Sequence, residues 1–151
     1  MKEKLNHDQK ALALWAAKCA GHVLSYFEKE YPEDDRPRKA IEAARAWAQG
    51  KIKVGMARTA ALAAHAAARD AKHPAEVFAA RAAGHAAATA HVAGHAPHAA
   101  NYAVKAAEAA GVARERGWQY NHLPKSPRLV MKKRAGYWKG RKLPLGMGSS
   151  G

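Results

Sequence analysis

The chain has 151 residues, of which 48% are hydrophobic, 7% aromatic and 25% charged, with a formal net charge of +14. That length suits one domain around one core. A single cysteine, Cys19, excludes an intrachain disulfide and suits a reducing cytoplasm. No apolar run is long enough to cross a membrane, and no signal-peptide core is present. About half of residues 57–110 are alanine, the strongest helix former, so the core is expected to be thin and the helices closely packed. The charge is uneven: from Pro124 onward there are basic side chains and no acidic ones, and they supply over half of the excess. A basic balance points to a polyanion or an acidic protein partner and says nothing of the fold.

The pattern predicts an all-α bundle of about five helices. The first spans about Asp8 to Glu30, where Leu12, Trp15, Cys19, His22, Val23 and Tyr26 recur at helical spacing. Tyr31-Pro32 ends it, because the residue before proline disfavours the helical region. The second runs from Asp34-Asp35 to about Gln49. Either aspartate can accept from free N–H groups, Pro37 suits the first turn and Gly50 ends the helix. The third is placed at about Val54 to Ala71, and the fourth at Ala75 to about His95, closed by Ala96-Pro97. The fifth begins near His98 and fades between Gly111 and Gly117, with Trp118, Tyr120 and Leu123 left to dock. No alternating strand pattern appears. Residues 1–123 read as the helical domain. Residues 124–151 read as a basic, irregular tail, partly disordered or added, with no apolar period. Trp15, Trp47, Phe78 and His85 sit on apolar stripes and are expected to be largely buried.

Because alanine supplies packing and no chemistry, the polar residues set among the alanines carry any function. Arg58, Leu62, His65 and Arg69 share one helical line, and Phe78, Ala82, His85, Thr89 and Val92 another. This places His85 and Thr89 on a core-facing stripe, where an imidazole needs a hydrogen-bond partner. The plain reading is a satisfied core histidine. The sharper one is a buried polar centre, or ligand site, drawn from His22, Arg45, His65, His85 and Thr89. His91 and His95, four apart, form a candidate metal pair, with His98 near, but no carboxylate follows at ligand spacing and HExxH is absent. No cofactor is implied. Cys19 reads as a small core residue. Asp34, Asp35, Arg36 and Arg38 crowd one helix start; they suit a cap with surface ion pairs, or a partner-binding cluster offering bidentate donors.

Two strings, DDRPRKAIEAARAW (34–47) and GHAAATAHVAGHA (84–96), lie within a stretch from Leu14 to Trp118 that resembles the all-helical bacterial family described as putative immunity proteins, linked to polymorphic toxin systems. The resemblance implies a cytoplasmic, non-catalytic module that neutralises a cognate toxin by binding it. The segment GWQYNHLPKSPRLVMKKRAGYWKGRK departs from the family's usual short terminal helix. Immunity proteins against nuclease toxins are often acidic, so this basic chain disfavours a nuclease partner unless Glu28, Glu30, Glu33, Asp34 and Asp35 do the docking. Two alternatives stand beside this reading. One is a nonspecific nucleic-acid binder that uses the basic tail with Tyr137 and Trp138. The other is a histidine-based metal protein or enzyme built inside the bundle.

Overall fold

The computed structural model describes residues 2–125, with side chains from residue 6 onward. Six helices follow one another: α1 (Lys2–Glu28), α2 (Arg36–Ala48), α3 (Val54–Asp70), α4 (Pro74–Ala88), α5 (His95–Ala109) and α6 (Glu115–Asn121). Among the described residues there is no strand, and the fold is all-α. No helix among them is long and apolar enough to cross a membrane. The tail from residue 126 lies outside the described residues.

Helix α4 is the axis of the bundle. It packs against α1, α2, α3 and α5, and Ala79, Ala80, Ala82, Ala83, Gly84, Ala86 and Ala87 are all buried along it. A helix with small side chains around most of its circumference belongs in the interior. Its neighbours meet it with alanine too: Ala61, Ala64 and Ala68 from α3, and Ala96, Ala99, Ala103 and Ala107 from α5, are all buried. The bulk comes chiefly from α1, which buries Leu12, Trp15, Val23, Leu24 and Phe27, with Ile41 added by α2. Small side chains on the other helices thus pack against large ones that come mostly from α1.

The loops explain where each helix stops. In the turn before α2 the Asp34 carboxylate accepts the Arg36 N–H at 3.1 Å, while Asp35 holds the N-cap position without a side-chain cap and Pro37 sits in the first turn. Gly50 and Gly111, beyond the ends of α2 and α5, have φ of 74° and 84°, a region that glycine enters without a Cβ penalty. At the start of α4 the His73 N–H donates to the Glu76 carboxylate. At its end the Gln9 side chain of α1 donates to the carbonyls of Thr89 and Ala90 at 3.0 and 3.1 Å, satisfying oxygens that the helix leaves open.

Three sequence expectations need correction. Six helices lie among the described residues, because α6 is a seven-residue segment too short to show a period. The fourth helix ends at Ala88, and His95 begins the fifth rather than closing the fourth. Pro97 therefore lies in a first turn, where its missing N–H would have had no helical partner; it is not a stop. Of the four residues expected in the core, Trp15 is buried while Trp47, Phe78 and His85 are only half-buried. Alanine faces approach so closely that large rings remain at the margins of the contact.

Helix α6 is held by a buried relay. The Trp15 indole N–H donates to the Gln119 carbonyl at 2.9 Å, and the Gln119 side-chain amide donates to the Ala100 carbonyl at 2.7 Å. Gln119→Ala should therefore lower stability by about 1–3 kcal/mol, the cost of stranding a buried partner. Asn121→Ala, on the exposed side of the same helix, should stay within about 0.5 kcal/mol of the parent. Denaturant midpoints compare the two, and equal midpoints would show that the relay does not hold α6.

Candidate functional site

The polar residues set into the alanine stretch converge where α3, α4 and α5 meet. His65 of α3 lies edge-on to His85 of α4, with ring centroids 5.0 Å apart. His85 is in turn flanked by three side chains of α5. Its Nδ1 lies 3.0 Å from His95 Nδ1, the His98 ring centroid is 5.4 Å away, and Tyr102 stacks on it at 5.3 Å and 11°. Arg81, one turn before His85, donates from Nη1 to His65 Nδ1 at 2.9 Å. Lys105 lies over the Tyr102 and Phe78 rings at 5.2 and 5.8 Å, within cation–π range.

Gly84 makes this assembly possible. A Cβ there would come within 2.7 Å of the His65 ring, so His65 rests directly on the α4 backbone. In an ordinary helix, Gly→Ala gains about 1 kcal/mol of propensity. Here Gly84→Ala should instead cost about 1–3 kcal/mol, the usual price of overpacking, because the ring is held from the other side by Arg81. A rise in melting temperature for Gly84→Ala would show that His65 has room to swing away.

The hydrogen bonds fix the protonation states. His65 Nδ1 accepts from a guanidinium and so carries no proton, and of the paired His85 and His95 Nδ1 atoms one must be an acceptor. Burial, and then the cations Arg81 and Arg69, hold the His65 imidazole down to about 4. Burial, followed by His65, His95, His98 and Arg81, holds His85 down to about 3. His95 is lowered as well, by burial and then by His98 and His91. An unfolded imidazole titrates near pH 6.5. Between that pH and the folded values the unfolded chain binds more protons, so stability is complete above about pH 7 and declines as the pH falls through about 6 toward 4. Melting temperature should drop between about pH 7 and pH 5, and the drop should be shallower in His85→Gln. Parallel slopes for parent and variant would remove His85 from the linkage.

Among the described residues no group of three or more His, Cys, Asp or Glu side chains is arranged to hold a metal ion. The proposed His91–His95 pair dissolves for a structural reason. A turn separates α4 from α5, so the two are not on one helix face; His91 is exposed, and His95 turns to His85 instead. Thr89 is buried, and its hydroxyl donates to the His85 carbonyl at 3.0 Å, closing the helix end.

His22 and Arg45 belong elsewhere. His22 is exposed, not part of the α1 core stripe. Its Nδ1 lies 2.7 Å from the nearly buried Glu115 carboxylate, and its ring stacks on Trp118 at 3.7 Å. With Arg45 and Trp118 it lines a cleft of about 440 Å³ between α1, α2 and α6. Cys19 is fully buried. Burial, and then the Glu115 charge, push its thiol well above the usual range, which keeps it protonated and unreactive.

The charged cluster at the start of α2 is internally paired. Arg36 donates to Asp34 at 2.7 and 2.9 Å and to Asp70 at 3.0 Å, tying α2 to the end of α3. This raises the Arg36 guanidinium and lowers the Asp34 carboxyl. Arg38 pairs with Glu28 through two hydrogen bonds, one of 2.8 Å, which ties α2 to α1. Lys39 pairs with Asp35 at 3.3 Å. The strongest donors of the cluster are thus occupied within the chain.

Sequence reasoning passed over Arg81, His98, Tyr102 and Lys105 as members of the centre. Their signal was present: His95, His98, Tyr102 and Lys105 recur at steps of three, four and three, visible once the helix is started at His95. The model of the Imm-5 like putative immunity protein family matches residues 3–126. The chain belongs to that family. The match covers all six helices except the first residue of α1. No curated protein and no solved structure matches the chain.

Proposed function

We propose that this chain is the immunity partner of a bacterial toxin of the polymorphic type. It acts in the cytoplasm, binds the toxin protein in a stoichiometric complex and blocks it without catalysis. The observation that carries this reading is the family match, which spans residues 3–126 and so takes in the helical bundle as a unit. The packing supports a binding role over a catalytic one. The inner histidines are engaged with Arg81 and with one another, and burial keeps them neutral at physiological pH. The cysteine is sealed in the core.

The test is protection. Candidate toxins encoded near the gene for this chain are each expressed in a bacterial host with and without it. Growth should be restored by the full chain, and the two proteins should co-elute as one complex. Restored growth without any complex would replace sequestration by an enzymatic or indirect mechanism, and failure to restore growth would remove the immunity role.

A further inference from the structure

The described ion pairs gather on α1, α2, α6 and the end of α3. They join α1 to α6 (His22–Glu115), α1 to α2 (Arg38–Glu28) and α2 to the end of α3 (Arg36–Asp70), or lie at the start of α2. The outer face of α3, α4 and α5 combines cations outside these pairs with an exposed leucine. Arg58 and Arg69 on α3, Arg81 on α4 and Lys105 on α5 have no carboxylate partner among the described residues. Glu108, one turn past Lys105, marks the edge of this face. Leu62 stands between Arg58 and Arg69 on the same helical line with 71% of its surface exposed. Behind this row lie the histidine rings and Tyr102.

Unpaired arginines carry a full desolvation cost when covered by neutral surface, and gain charge-assisted hydrogen bonds when covered by carboxylates. An exposed leucine flanked by arginines, with a tyrosine nearby, matches the composition of a protein interface: an apolar anchor among arginine and aromatic side chains. Nucleic acid needs the cations and has no use for the leucine. Resting on the immunity reading above, we infer that the α3–α5 face is where the toxin docks, and that the toxin offers it an acidic surface with an apolar recess for Leu62. The carboxylates of that surface pair with Arg58 and Arg69, and the histidine centre beneath holds α3 in register with α4 and α5.

The experiment uses the full chain, the candidate toxins named above and variants at exposed positions that leave the core untouched. Arg58→Glu places an acidic residue early in α3, where the helix tolerates it, and Leu62→Asp removes the anchor. Each should weaken toxin binding at least tenfold and the pair about a hundredfold, with loss of growth protection, while circular dichroism and melting stay close to the parent. Lys29→Glu, beyond the end of α1, should bind as the parent does. Raising the salt concentration should slow association of the parent more than that of Arg58→Glu. If the parent protects and both face variants bind equally well, the docking face is wrong and the immunity role stands. If the parent neither binds nor protects, it is the immunity role that fails. If Arg58→Glu and Leu62→Asp leave toxin binding intact while Arg58→Glu loses retention on a short DNA duplex, the face is a nucleic-acid surface and the inference is overturned.

Discussion

Close approach of alanine-lined helices to α4 is the constraint on which the rest of the molecule depends. A methyl side chain loses no rotamer freedom when buried, so each alanine contact orders little besides backbone. It also contributes little area, and the stability of the bundle rests on many such contacts together with the large side chains of α1. The arrangement leaves no slack. Where α3 crosses α4, even the methyl group of alanine is too large, and Gly84 gives its place to the His65 ring.

That crossing also sets the electrostatics. A histidine wedged against backbone, accepting from an arginine and touching a second histidine, is stable only while it is neutral. The inner imidazoles are half-buried, and the nearest formal charges, Arg81 and Arg69, are positive. The outer arginines of α3 and α4 have no counter-charge among the described ion pairs, which hold the start of α2, tie α2 to its neighbours and tie α6 to α1. The row Arg58, Leu62 and Arg69 is left open to a complement from outside the chain.

Much of the fold was legible in the sequence. Periodicity and turn chemistry marked α2 and α3 closely, since Asp34-Asp35, Gly50 and Pro74 are strong local punctuation. The break between α4 and α5 was misplaced because Pro97 has two meanings, stop and first turn, and only the tertiary setting chooses between them. That slip hid the site: with His95 closing a helix, the row His95, His98, Tyr102, Lys105 has no existence as a row. The pairing of His65 with His85 was legible from their stripes, but the line carrying Leu62 turned out to be a surface line. In an alanine-rich helix the buried face is made of alanine, and a leucine no longer marks the inside. Contacts distant in sequence, such as His22 with Glu115 or Arg36 with Asp70, leave no local trace.

The Trp15–Gln119 hydrogen bond joins positions 104 residues apart, whereas Gln119 reaches Ala100 across only 19. Closing the longer loop from an open chain costs about 1.5 kcal/mol more in chain entropy. The economical order of assembly is therefore α5 onto α1 and α4 first, then α6 across both, when the effective loop has become short. A chain without α6 would leave the Trp15 indole N–H without its Gln119 acceptor. Short as it is, α6 thus serves as a clasp, fastening the first helix to the fifth through one carbonyl and one amide.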